Sequence, residues 1–126
     1  ISLYTTSSNK ACSGNNISNY NLSNLNFHYP SVNKPLDFKL YSSFIKNFSN
    51  IYNFIPNKYV IRGYDLVLDL LFRLSSDEIN FNGSNFIETE HIENKFKYFK
   101  NKDSLGYRNL STFIIKYENL ELKVVD

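Results

Sequence analysis

Residues 56–76 read PNKYVIRGYDLVLDLLFRLSS, and the reading of this stretch decides the fold. Between Tyr59 and Leu74 everything is apolar except Arg62, Gly63, Asp65, Asp69 and Arg73. The four charges fall at i, i+3, i+7 and i+11, which is one narrow stripe of a helix with about 3.6 residues per turn. Arg62–Asp65 and Asp69–Arg73 are spaced to pair along it, each pair contributing about 0.3–0.5 kcal/mol at a surface. The rest of the circumference is Val60, Ile61, Tyr64, Leu66, Val67, Leu68, Leu70, Leu71, Phe72 and Leu74. A helix apolar on most sides must be covered on most sides. It is shorter and more charged than the roughly 20 apolar residues that span a bilayer. The stretch therefore predicts a core helix packed against a sheet and a neighbouring helix, and hence a layered α/β domain.

Upstream, residues 36–53 predict an amphipathic helix. Tyr41, Phe44, Ile45, Phe48, Ile51 and Tyr52 make one face, Lys39, Ser42, Ser43, Lys46, Asn47 and Asn50 the other, and Pro56 ends it. Ile1 to Thr5 alternates as a short buried strand does. TTSSNKACSGNN reads as a loop whose hydroxyls serve backbone or ligand equally well. ISNYNLSNLNFHYP reads as a short helix or turn, then a strand around Leu25 to Tyr29 stopped by Pro30; Pro30 and Pro35 bracket a connector. Downstream, Ser75 to Glu90 is a polar connector containing Gly83. The period then changes to two: NKFKYFK alternates Phe96 and Tyr98 with lysines, and STFIIKYENLELKVVD predicts a hairpin turning at Glu118–Asn119. Residues 1–126 read as one partial domain without an internal repeat.

The 126-residue length suits one domain. Asparagine occurs 19 times, so the five Asn-x-Ser sequons at Asn16, Asn21, Asn47, Asn82 and Asn109 are expected by chance. The net charge of +2 is made of interspersed acids and bases, with no basic stripe to suit nucleic acid. The single Cys12 excludes an intrachain disulfide and a thiolate metal cluster. With no methionine and an opening strand, the chain reads as a fragment whose start lies upstream.

No constellation calls for catalysis or a cofactor. His28 and His91 lack ligand spacing, and the acids around His91 in ETEHIEN (Glu88, Glu90, Glu93) read as a solvated loop rather than a cation site. Cys12 reads as a packed side chain rather than a nucleophile. Asp65 and Asp69 sit one turn apart, as paired acid–base carboxylates would, but between arginines they read as structural. Phosphate loops, nucleophile elbows and zinc motifs are absent. Two spots fit ligand binding, because ligands of open α/β sheets sit beyond the carboxyl ends of strands. One is the segment after the first strand, Thr5, Thr6 and Ser7. The other is His28 and Tyr29, where the next strand ends.

The segments HYPSVNKP, PNKYVIRGYDLVLDLLFRL, ETEHIENKFKYFK and GYRNLSTFIIKYENLELKVV together resemble the C-terminal part of type I periplasmic solute-binding proteins, the superfamily of branched-chain amino-acid receptors. The nearest likeness is to Bacteroidota members that carry lysin-motif repeats ahead of this domain. The resemblance spans essentially the whole chain. It implies the C-terminal portion of a two-lobed α/β fold, with parallel strands, two main helices and a C-terminal β-hairpin. It also implies a periplasmic or cell-envelope location, a small polar solute gripped between lobes without a covalent step, and contact with peptidoglycan through repeats upstream of this chain. Thr5, Thr6 and Ser7 match the region where family members present polar groups to ligand. Amino-acid receptors favour an acidic residue there and this chain has only hydroxyls, so a second reading stays open: the same fold turned to envelope architecture, without a working ligand site. The greasy helix would then be one that lies against a parallel sheet supplied mostly by chain outside these residues.

Overall fold

The computed structural model describes residues 1–7, 17–75, 87–100 and 105–125. Cys12, Ser8, Gly83 and the sequons at Asn16 and Asn82 lie outside them. The elements in chain order are β1 (Leu3–Tyr4), α1 (Asn19–Asn24), β2 (Phe27–Ser31), α2 (Ser42–Tyr52), α3 (Lys58–Ser75), β3 (Thr89–Glu90), β4 (Lys95–Phe96), β5 (Tyr98–Phe99), β6 (Arg108–Asn109), β7 (Phe113–Glu118) and β8 (Glu121–Val124). The class is α/β, and the chain divides into two compact units, residues 1–35 with 112–126, and residues 36–111.

The first unit is a four-stranded sheet in the order β1-β2-β7-β8. β1 runs parallel to β2, pairing Leu3 with Phe27 and Tyr4 with His28; β7 is antiparallel to both β2 and β8. Pro30 does not stop β2 but sits inside it, opposite Ile114. His28 turns its carbonyl toward β1, accepting the Thr5 N–H at 3.1 Å. By alternation the Pro30 nitrogen faces the same side, beyond Tyr4 where β1 has ended, so the missing N–H leaves no ladder bond unmade. Phe27, Tyr29 and Tyr117 cluster on one face with centroids 5.9–6.3 Å apart. Phe113, Ile115, Phe27 and Leu22 form the buried apolar core. The Ser18 hydroxyl caps α1 by accepting from the Asn21 N–H at 3.3 Å.

The predicted hairpin is present, with its turn one residue further on, at Asn119–Leu120. Both have positive φ, 52° and 67°, as the hairpin turn that matches strand twist requires. Asparagine tolerates this; a leucine there costs about 1–2 kcal/mol. The Leu120 N–H is held by the Ser23 hydroxyl of α1 at 3.0 Å. Across the same hairpin, Lys116 and Lys123 both donate to Glu118, at 2.7 and 2.8 Å, and hold its carboxyl down to about 2.

In the second unit, α2 starts later than its periodicity suggests. Asp37 Oδ1 accepts from the Lys39 and Leu40 amides and shapes a separate turn first. The helix ends at Asn53, left-handed with φ 59°, rather than at Pro56. Asn57 Oδ1 caps α3 through the Tyr59 and Val60 amides, at 3.0 and 3.1 Å.

α3 reverses the sequence expectation. Its buried residues are Ile61, Asp65, Asp69 and Arg73, so three of the four charges of the stripe face inward, while Arg62 is exposed. The opposite arc, roughly 160° wide at 100° per residue, runs through Leu66, Tyr59, Leu70, Leu74, Val67, Val60, Leu71 and Tyr64. Leu74 is 76 % exposed, Tyr59 67 %, Leu71 58 % and Val67 55 %. The folded chain is therefore expected to bind an apolar fluorescent dye and to self-associate. Replacing Val67 and Leu74 by lysine should abolish both while leaving urea unfolding within about 0.5 kcal/mol per site. A monomeric, dye-silent chain would contradict this reading.

Candidate functional site

β1 and β2 bring together two of the sequence candidates. Thr5 follows Tyr4 at the carboxyl end of β1 and is tied to β2 by its amide; its hydroxyl donates to the Ser7 carbonyl at 3.1 Å, closing a small turn. Thr6 and Ser7 follow it and are exposed. His28 is only 6 % exposed, and the Tyr4 ring stacks on it at 4.4 Å with planes 16° apart. Its Nδ1 is buried and has no hydrogen-bond partner among the described residues. Burying such an atom without a partner costs about 1–3 kcal/mol. Tyr29 does not join them. Adjacent strand residues point to opposite faces, and Tyr29 lies half-buried with Phe27 and Tyr117 on the other side. In register across the sheet, Tyr4, His28, Lys116 and Lys123 form one row. The face that carries His28 is thus aromatic at the β1 edge and charged at the β8 edge.

The second polar centre, in residues 36–111, is built by α3. Asp65 accepts from three successive backbone amides, Ile92 at 3.1 Å, Glu93 at 2.9 Å and Asn94 at 3.0 Å, and from the Asn94 side chain at 2.8 Å. The segment expected to be a solvated acidic loop is consequently buried at Ile92, Glu93, Asn94 and Lys95. Burial pushes the Glu93 carboxyl up, Asp65 adds to the rise and Arg62 opposes it.

One turn along, Asp69 and Arg73 pair at 2.7 Å, both almost fully buried. Asp69 also accepts from the Thr89 hydroxyl and lies 3.1 Å from His91 Nε2. An ionised carboxylate only accepts, so this contact assigns the His91 proton to Nε2. Arg73 donates onward to Thr89 Oγ1 at 3.0 Å, to the Phe96 carbonyl at 3.1 Å and to the Ile87 carbonyl at 3.4 Å, and lies 4.8 Å over the Tyr98 ring. Burial pushes the Tyr98 phenol up, Asp69 adds to it, and Arg73 opposes it.

Asp65 and Asp69 direct their charge at backbone amides and a guanidinium, so the two centres fasten α3 to residues 87–96. Asn109 is a third fastening. Its Oδ1 accepts from the Lys97 and Ser111 amides at 2.8 and 3.1 Å, and its Nδ2 donates to the Lys95 carbonyl at 2.9 Å. That splits the expected NKFKYFK strand into β4 and β5, and it occupies the amide that the sequon would offer. Among the described residues no group of three or more His, Cys, Asp or Glu side chains is arranged to hold a metal ion. Nor is any described helix long and apolar enough to cross a membrane.

Compared with protein-family models, curated proteins and solved structures, the chain matches none of them significantly.

Proposed function

We propose that this chain is the C-terminal part of a non-catalytic solute-binding module of the bacterial cell envelope, related to the type I periplasmic binding proteins, that grips a small polar ligand beside the β1–β2 pair. The observation that carries the reading is His28: a buried imidazole whose Nδ1 has no partner among the described residues, stacked by Tyr4 and bordered by the Thr5 to Ser7 turn at a strand's carboxyl end. Once the exposed Tyr4 ring swings off the imidazole, a ligand hydroxyl or amide donating to Nδ1 would satisfy that atom. The hydroxyls of Thr6 and Ser7 would complete a neutral polar rim.

The test is calorimetric titration of the chain against a panel of free amino acids and small polar metabolites. At least one should bind saturably and raise the melting temperature. His28→Phe, which keeps an aromatic ring in the stack, should abolish that binding while preserving the fold. A panel without a binder, or a binder indifferent to His28→Phe, would overturn the reading.

The outward apolar arc of α3 favours a second reading, an interaction module of the same fold associated with peptidoglycan. Because the peptidoglycan-binding repeats of that reading lie outside these residues, silence across the small-molecule panel together with self-association that is lost on replacing Val67 and Leu74 by lysine would select it.

A further inference from the structure

A cavity of about 530 Å³ opens where α1 meets the β7–β8 turn, lined by Tyr20, Ser23, Asn24, Asn26, Glu118, Asn119 and Leu120. It lies at the end of the sheet where β2 begins, away from the Thr5 to Ser7 turn. From its lining we propose that it is a binding site for a neutral pyranose sugar of one or two rings.

A pyranose has one patch of C–H bonds and a rim of hydroxyls that each donate and accept. It is held by an apolar or aromatic platform together with planar amides, which donate and accept side by side. The cavity supplies both. Tyr20 is 63 % exposed and Leu120 57 %, so a ring face and an aliphatic side chain are open to a ligand. Asn24, Asn26 and Asn119 supply amides. Asn26 Nδ2 reaches the Ile1 carbonyl only at 3.5 Å, and the side chains of Asn24 and Asn119 make no hydrogen bond among the described residues. Glu118 is answered by Lys116 and Lys123, and Glu121 acts on Lys123 in turn, so the two acids and two bases of the hairpin cancel in net charge.

The backbone sets the shape of the cavity wall. Four non-glycine residues among those described have positive φ, and three of them, Asn26 at 42°, Asn119 at 52° and Leu120 at 67°, line this one cavity. Asn119 and Leu120 take positive φ as the two residues of the β7–β8 turn and Asn26 as the residue that leaves α1, so a turn and a helix end meet at the cavity. The turn chemistry sharpens the point. Glycine at position 120 would make the turn without strain; leucine instead sets an apolar side chain on the rim. The Ser23 hydroxyl on the Leu120 N–H, at 3.0 Å, fixes the α1 wall to the turn wall before any ligand arrives.

The test titrates the whole chain with cellobiose and maltose, following the side-chain amide resonances of Asn24 and Asn119 by NMR. Sorbitol serves as a control that has the hydroxyls but no ring face. At least one disaccharide should bind saturably, and sorbitol about tenfold more weakly or not at all. Tyr20→Ala should weaken binding about tenfold and Tyr20→Phe should restore it. Asn119→Gly removes an amide while relaxing the turn, so it should weaken binding in a chain at least as stable as the parent. Absence of saturable binding by both disaccharides overturns the proposal. So does equal binding of sorbitol, or full affinity in both Tyr20→Ala and Asn119→Gly. None of these results bears on His28, whose ligand is sought with different probes at a different face.

Discussion

Asp65→Ala should destabilise residues 36–111 by about 4 kcal/mol or more in urea unfolding. The wild-type carboxylate is fully buried and accepts from the Ile92, Glu93 and Asn94 amides and from the Asn94 side chain. Removing it strands three neighbouring backbone donors in a buried place. Each buried donor left unsatisfied costs about 1–3 kcal/mol, and hydrogen bonds to a charged acceptor contribute about 1.5–3 kcal/mol each. The terms overlap, because segment 92–94 will relax outward and recover part of the loss. Against a total stability of roughly 5–15 kcal/mol, the effect is still large. Asp65→Asn keeps the shape and one acceptor oxygen but turns a donor toward donors, so it should cost about half as much. If Asp65→Ala shifts the midpoint by less than the equivalent of about 1 kcal/mol, the carboxylate does not fasten this loop.

Arg73→Met should cost about 3–5 kcal/mol, the usual result of leaving one ion of a buried pair uncompensated. Here the stranded ion is Asp69, and the Ile87 and Phe96 carbonyls lose their donor with it. Arg73→Lys should recover little. A single ammonium cannot reach the Asp69 carboxylate, the Thr89 hydroxyl and the Phe96 carbonyl in the planar fork that guanidinium provides. Asp69→Leu combined with Arg73→Met removes both charges, and its loss should be about 2 kcal/mol smaller than the sum of the single losses. Strict additivity in this double-mutant cycle would mean that the pair is not coupled and that Arg73 acts only through its carbonyl contacts.

The same helix shows what residue patterns convey and where they stop. A period of about 3.6 residues is a property of the local chain, so α3, α2 and the β7–β8 hairpin were all legible as elements. Caps were not legible: Ser18, Asn53 and Asn57, and Asp37 delaying α2, had to be seen in place, since many asparagines, serines and aspartates of this chain have the same local credentials, and the hairpin turn was read one residue early. The inward direction of the charged stripe was not legible. Periodicity shows that Asp65, Asp69 and Arg73 share a face; it does not say which way the face points. Charges default to water, and the default fails only when distant partners satisfy them. Those partners, the amides of 92–94 and the carbonyls of Ile87 and Phe96, are backbone groups present at every residue and carry no sequence signal. The proximity of Pro30 to the point where β1 ends, and the gathering of Asn26, Asn119 and Leu120 around one cavity, are likewise facts of pairing between segments about 25 and about 90 residues apart.

The sequence by itself determined the α/β class, the placement of the main helices and hairpin, and the grouping of the α3 charges on one stripe, because these follow from side-chain period and local backbone preference. Only the tertiary structure decided that this stripe is the core-facing side, that His28 is buried against Tyr4 while Tyr29 turns away, and that the apolar arc of α3 faces outward. The first depends on which distant backbone donors and acceptors arrive opposite a given side chain, the others on which aromatic and apolar groups do, and a burial free energy takes its sign from that meeting.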